Sequence, residues 1–156
     1  MVHAVKYSGW YTLAAAMAER MARLDLGPEA TEEVRVVAPV PLSPVRLRQR
    51  GYNQAAHLAA GVARARGLVL REDLLVRHRS SESQTALHPN ERRANVADAF
   101  RASSGAASAC GEHVLLVDDV WTTGATTLAC AGALLDAGIR AVSVLTFARA
   151  LPDLER

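Results

Sequence analysis

Apolar positions near the start of the chain recur at a helical period. Leu13, Ala16, Met17, Met21 and Leu24 share one side of the wheel, with Glu19, Arg20 and Arg23 elsewhere. This spacing predicts an amphipathic helix closed near "LGPEA" by Gly27 and Pro28. The pattern then changes to a β-branched run, "VRVVAPVPL", which predicts a buried strand entering a stiff, proline-bounded loop. After "RLRQRGYNQ" the helical period returns, with Ala55, Leu58, Ala59 and Val62 on one face and Gly67 as the stop. "LVLREDLLVRHR" predicts another strand, and the polar, proline-bearing residues 80–91 predict an exposed loop. "RRANVADAF" predicts a short helical turn and a strand, and "RASSGAASACGEH" is a small-residue connector. A strand over residues 114–117, a helix over about 123–137 stopped by Gly138, and a last strand "AVSVLTFAR" complete the pattern, which contains no internal repeat.

Strands alternating with helices of this length predict an α/β fold: a central, mostly parallel sheet with helices on both faces. Ligands of such sheets bind beyond the carboxyl ends of the strands. Residues 41–50 and 118–126 should therefore project onto one edge, and the chemistry should lie there.

Composition narrows the class. With 156 residues, half of them apolar and 22% charged, the chain has ordinary globular make-up and the length of a single domain over residues 1–156. Its apolar runs are too short for a membrane span, so no membrane insertion is expected. "MVHAVKYSGW" lacks the layout of a signal peptide, and the expected location is cytoplasmic. Cys110 and Cys130 have neither disulfide-framework nor zinc spacing. A net charge of +2 does not announce a nucleic-acid binder. Lys6 is the one lysine beside seventeen arginines, so a compact point charge at that position is a candidate functional feature.

The strongest chemical signal is "VLLVDDVWTTGAT". A continuous apolar run suits a strand covered on both faces. It ends in two carboxylates, Asp118 and Asp119, and then turns into a helix through Thr122, Thr123, Gly124, Ala125 and Thr126. Backbone N–H groups at a helix N-terminus lack partners and sit at the positive end of the dipole, so this turn can cradle a phosphate. Gly124 allows close approach of the backbone, and the threonines add hydroxyl donors. Carboxylates a few ångströms along the ligand can accept hydrogen bonds from vicinal sugar hydroxyls, or hold a hydrated Mg²⁺. Phosphate donors beside diol acceptors describe a ribose 5-phosphate. A lone Asp before Thr-Gly would read as a helix-capping turn, but the whole string in fixed register does not. His57, His78, His88 and His113 lie singly without metal spacing, and no GxSxG elbow or Walker P-loop is present.

Residues 114–126 resemble the signature of type I phosphoribosyltransferases, which bind 5-phosphoribosyl 1-diphosphate with Mg²⁺. More narrowly, "PVPLSPVRLRQRGYNQAAHLA", "QTALHPNERRANVADAF" and "VHAVKYSG" are similar to the ComF/GntX (competence protein F) family, linked to bacterial DNA uptake. The resemblance implies the type I fold with a small hood or lid. It also implies Asp118 and Asp119 as the catalytic and Mg²⁺-associated pair, in contact with the metal directly or through water. "PLSPVRLRQRG" takes the place of the family's diphosphate loop, with Leu42 and Ser43 offering backbone amides, Arg50 pairing with phosphate oxygens, and Lys6 suited to the same diphosphate. Residues 77–96, with Arg77 and Arg79 at their start, match the mobile lid. An acceptor, a nucleobase among the candidates, would sit near residues 147–149. Family members usually begin with a four-cysteine zinc ribbon, and this chain starts just after where the ribbon would end. Three functions stay open: sugar transfer, non-catalytic sensing of the same ligand, and a DNA-uptake accessory that contacts single-stranded DNA or other uptake proteins through "RLRQR" and "RHR".

Overall fold

A computed structural model describes residues 13–78 and 99–150. A helix over residues 13–22 (α1) and a short helix α2 (Pro28–Glu33) precede strand β1 (Val36–Pro39). Helices α3 (Pro44–Arg50) and α4 (Gln54–Arg66) follow, then β2 (Val69–Leu70), β3 (Leu75–Arg77), β4 (Phe100–Ala102) and a 3₁₀ turn (Ser104–Ala109). The chain continues through β5 (His113–Trp121), α5 (Ala125–Asp136) and β6 (Ala141–Arg149). Four strands form a parallel sheet in the order β2-β1-β5-β6, as the alternation of elements predicts. β3 and β4 form a separate antiparallel ribbon. No helix among the described residues is long and apolar enough to cross a membrane.

Successive strand residues face opposite sides, so the unbroken apolar run of β5 feeds two cores. Val114 and Leu116 pack with Val36, Ala38, the ribbon and Leu134 of α5. Leu115 and Val117 pack with Val37, Met21 of α1, and Leu58 and Val62 of α4. Helices therefore cover both faces. The final strand and the apolar face of α4 lie where the sequence pattern places them, and Gly67 ends α4.

Four elements differ from the sequence expectation. Helix α1 buries Ala14, Ala18 and Met21, while Leu13 and Leu24, expected inside, are 53% and 48% exposed. The cause is close packing: a Cβ on Gly61 of α4 would lie 2.4 Å from that of Ala18. The small-residue side must face inward there, which turns the helix by about one residue. Pro28 starts α2 at its first position instead of merely ending α1. "PVRLRQR" is a helix between Ser43 and Gly51 rather than an open loop. "LVLREDLLVRHR" contains two short strands, β2 and β3, in different sheets.

Candidate functional site

The carboxyl edge of the sheet collects the chemistry. β5 does not end after Val117 as the sequence suggests. Its pairing with β6 continues through Asp118↔Thr146 and Val120↔Ala148 to Trp121↔Arg149. Both aspartates are thus held in regular strand. Alternation places Asp118 on the Leu116 side, toward α5, and Asp119 on the Val117 side. Each carboxylate accepts one local backbone bond, Asp118 Oδ1 from the N–H of Asp119 at 2.9 Å and Asp119 Oδ1 from that of Val120 at 2.8 Å. Neither has an ion pair among the described residues. Burial pushes Asp118 up to about 6; the Asp119 N–H opposes that rise and the Asp119 charge adds to it. The buried Cys130 thiol of α5 is pushed far up by burial first and by the Asp118 charge second.

Past Trp121 the chain turns into α5. Gly124 is buried with φ +79°, and a Cβ there would meet Cζ2 of the Trp121 ring at 2.4 Å. Only glycine satisfies both the left-handed backbone and the indole beneath it. The Thr123 hydroxyl accepts weakly from the Ala125 N–H at 3.4 Å, and the buried Thr127 hydroxyl donates to the Gly124 carbonyl at 3.0 Å. Thr122 and Thr123 are exposed, and Ala125 and Thr126 partly so. The first-turn N–H groups of α5 have no carbonyl four residues back, which leaves donors at the positive end of a twelve-residue helix. The structure brings Thr122, Thr123, Gly124, Ala125 and Thr126 into one turn beside the aspartates. Thr127, which sequence reasoning passed over, fixes that turn; its position three residues after Gly124 was the available signal.

β1 delivers the neighbouring loop to the same edge. The Val40 N–H donates to the Val117 carbonyl at 2.9 Å, and Leu42 and Ser43 follow directly. Ser43 is buried and caps α3, its hydroxyl accepting from the Arg46 N–H at 3.3 Å. Asn53 caps α4, as the capping preference predicts, by accepting from the Ala55 N–H at 3.1 Å. Its amide also donates to the Val40 carbonyl at 3.0 Å, which ties the two loops together. Arg50 is exposed and donates from Nη1 to Gln54 Oε1 at 3.0 Å.

Arg77 ends β3 with its guanidinium 5.0 Å from the centroid of the Phe100 ring. Burial lowers its pKa first, and the like charge of Arg46 lowers it further, while Cys130 acts in the opposite sense. The charge of Arg46 in α3 is thus felt by Arg77 of the ribbon, as is the Cys130 side chain of α5. Sequence spacing could not pair the two arginines, because a helix and a hairpin far apart in the chain supply them. Lys6, Arg79 and the lid residues after 78 lie outside the described residues. Phe147, expected near an acceptor, is 41% exposed at the carboxyl end of β6. No group of three His, Cys, Asp or Glu side chains suited to a metal occurs among the described residues.

At the opposite end of β5, His113 is buried. Its Nδ1 donates to Glu33 Oε2 at 3.1 Å, and its Nε2 shares a hydrogen bond of 2.9 Å with the Ser143 hydroxyl. Arg140 donates to the same Glu33 oxygen at 2.8 Å. The Arg140 hydrogen bond first, and the His113 bond second, hold Glu33 below the usual carboxylate range.

The chain matches no protein-family model. It is 32% identical over 157 residues to the DNA utilization protein YhgH of Salmonella typhimurium, covering 97% of this chain and 66% of that protein. It is 33% identical over 138 residues to competence protein F of Haemophilus influenzae, covering 88% of this chain and 57% of that protein. The chain thus spans about two thirds or less of these relatives' own length. The fold is similar to that of the glutamine phosphoribosylpyrophosphate amidotransferase of B. subtilis complexed with ADP and GMP. That likeness has a TM-score of 0.57 at 22% identity and covers 86% of this chain and 26% of the amidotransferase. A second structure, of the allosteric regulatory enzyme of purine biosynthesis, gives 0.54 at 22% identity over 86% of this chain and 25% of its own. At this identity the likeness speaks to the fold, which is that of type I phosphoribosyltransferases.

Proposed function

We propose, from the chain's membership of the family of YhgH and competence protein F, that it is a Mg²⁺-dependent phosphoribosyltransferase-type protein binding 5-phosphoribosyl 1-diphosphate. The observation that carries this reading is the adjacency of two carboxylates without an ion pair among the described residues to the donor-rich first turn of α5. Two negative groups beside the N–H donors of a helix's first turn complement a ligand with hydroxyls at one end and a phosphate at the other.

In this reading the turn over residues 122–126 holds the 5-phosphate through backbone N–H groups, and Asp118 and Asp119 accept from the ribose hydroxyls. Leu42 and Ser43 face the diphosphate with their backbone, and Arg50 and Lys6 add positive charge there. Arg46 and Arg77 suit the charge that grows on a departing diphosphate. The donor set fits Mg²⁺: two neighbouring carboxylates, each oriented by a backbone N–H on one oxygen, suit an ion that is commonly held by one or two carboxylates completed by water and substrate phosphates. Bound there, the ion would neutralise diphosphate charge. The raised pKa of Asp118 supports a site whose ionised form is stabilised by what it binds.

The names of the relatives, DNA utilization protein and competence protein, support a role connected with competence and the use of DNA. The test is calorimetric titration with phosphoribosyl diphosphate, with and without Mg²⁺, followed by incubation with a panel of nucleobases while diphosphate release is measured. Saturable, Mg²⁺-dependent binding with base-dependent release is the expected result. Binding without release favours a sensing module. Absence of binding in both conditions sinks the reading.

A further inference from the structure

Helix α3 buries none of its residues, and its two aliphatic side chains, Val45 and Leu47, are 42% and 43% exposed. Burial of its own side chains therefore does little to hold it on the sheet edge, although it carries Arg50 and follows directly on Leu42 and Ser43. What holds it lies at its ends. Ser43, itself buried, caps its first turn. The chain leaves the sheet at Val40 and returns at Asn53, and one clasp joins the two points. The Val40 N–H donates to the Val117 carbonyl of β5 at 2.9 Å, and the Val40 carbonyl accepts from Asn53 Nδ2 at 3.0 Å. The other end of the same amide, Oδ1, accepts from the Ala55 N–H at 3.1 Å and caps α4.

Capping alone does not call for asparagine. Aspartate and serine cap a helix equally well. Aspartate donates nothing, however, and a serine hydroxyl puts donor and acceptor on one atom, without the spread of the amide. Asparagine is the cap that can hold α4 with its oxygen and a distant carbonyl with its nitrogen. We propose that Asn53 is a positioning residue for the diphosphate: by clasping Val40 it fixes the excursion from Pro41 to Tyr52, and so makes this edge prefer a diphosphate sugar to its monophosphate. The proposal rests on the phosphoribosyl diphosphate reading given above. With the clasp closed, the Leu42 backbone and the Arg50 guanidinium keep a fixed place at the edge. With it open, both lose that place, while residues 118–126, carried by β5 and α5, keep theirs. Asn53 itself touches no ligand in this scheme.

The test is calorimetric titration of the full chain with phosphoribosyl diphosphate and, separately, with ribose 5-phosphate, both in Mg²⁺. Asn53→Ser leaves a neutral cap on α4 and removes the clasp. It should lower affinity for phosphoribosyl diphosphate roughly three- to tenfold, the weight of one hydrogen bond, and leave ribose 5-phosphate unchanged. Asn53→Asp also keeps the cap and should lose at least as much. Equal losses for the two ligands in Asn53→Ser would make the effect a general loosening of the fold and overturn the proposal. Unchanged affinity in Asn53→Ser beside a loss in Asn53→Asp would assign the effect to added charge and overturn it too. Should Asn53→Ser fail to fold, Asn53→Asp decides: a selective loss that persists in high salt supports the clasp, and one that vanishes there overturns it. If the unaltered chain fails to bind phosphoribosyl diphosphate at all, the reading of the site falls and this proposal with it.

Discussion

At its amino end β5 carries His113, buried and bonded on both ring nitrogens, with Glu33 shared between that ring and the Arg140 guanidinium. At its carboxyl end the same strand carries Asp118 and Asp119, and no cation among the described residues pairs with either. One end satisfies its polar groups within the chain. The other keeps a partly buried carboxyl whose pKa is raised by that burial. Buried polar groups in folded proteins are normally paired, so the first end needs only the fold as its explanation. The second end has no such partner among the described residues, and in the proposed reading a ligand supplies it.

The comparison breaks most visibly at Gly124. Any side chain there faces a φ of +79° and the Trp121 ring at 2.4 Å. Gly124→Ala should cost about 2–5 kcal/mol, combining a left-handed non-glycine residue with overpacking. It should also abolish binding of phosphoribosyl diphosphate by displacing the first turn of α5. Thermal melting and calorimetry check the two effects. A stable variant with unchanged affinity would show that the turn does not hold the phosphate.

Next in size is Asp118→Asn. The folded carboxyl holds its proton up to about pH 6, against an ordinary value of 3.8. Between those values the native state binds more protons than the unfolded chain, so stability falls as pH rises through the window and then levels off. The loss at neutral pH is about 3 kcal/mol. Asparagine removes the ionisation while its oxygen can still accept from the Asp119 N–H. The variant should therefore be more stable than wild type at pH 7 by up to that amount, and equal to it below about pH 3.8. Its Mg²⁺-dependent ligand affinity should fall. Denaturant melts across pH, paired with calorimetry, test both halves.

These contrasts bear on what the sequence could reveal. The parallel sheet, the covered faces and the gathering of residues 41–50 and 118–126 on one edge were legible, because apolar periodicity and strand–helix alternation are local signals. The carboxylate pair and the threonine-glycine turn were legible because one continuous string carries them. The inward side of α1 was not, since it is decided by the approach of Ala18 to Gly61, two residues on different helices. Helix α3 was hidden by Pro44, which reads as a loop former until Ser43 is seen to cap it. The Glu33–His113–Ser143 chain and the charge interaction of Arg46 with Arg77 join segments far apart in sequence, and no spacing rule connects them. His113 looked like a solitary histidine for that reason.

At the amino end, His113→Phe keeps a ring in the core but strands the Ser143 hydroxyl and removes one partner of Glu33. A cost of about 1–3 kcal/mol is expected, the range for a polar group that loses its bond on burial. Affinity for phosphoribosyl diphosphate should stay within error of wild type, because this end supplies no ligand contact. A matching loss of affinity would mean that His113 reaches the carboxyl edge through the strand, and the two ends would no longer be separable.

The smallest effect, and the one that sharpens the comparison most, belongs to Arg140→Gln. The Arg140 and Glu33 side chains are 52% and 40% exposed, so solvent screens the pair and its contribution should be the smallest of these. Its sign with pH is opposite to that of Asp118. Arg140 is the main cause of the lowered Glu33 pKa, with His113 second. A carboxylate whose folded pKa lies below its ordinary 4.5 contributes stability that is present above that value and is lost as pH falls through the folded one. Removing Arg140 should shift the Glu33 titration, read by side-chain carboxyl NMR, back toward its ordinary range. The stability gap between wild type and variant should be small at pH 7, smaller still in high salt, and absent in acid. In the Asp118→Asn variant the gap also closes in acid, but there the variant is the more stable protein at neutral pH. The two ends of one strand should thus give pH profiles of opposite sign: one where the described residues supply a countercharge, one where they do not. Profiles of the same sign would mean that Asp118 finds a cation within the chain, and the case for an outside ligand at that edge would lose its main support.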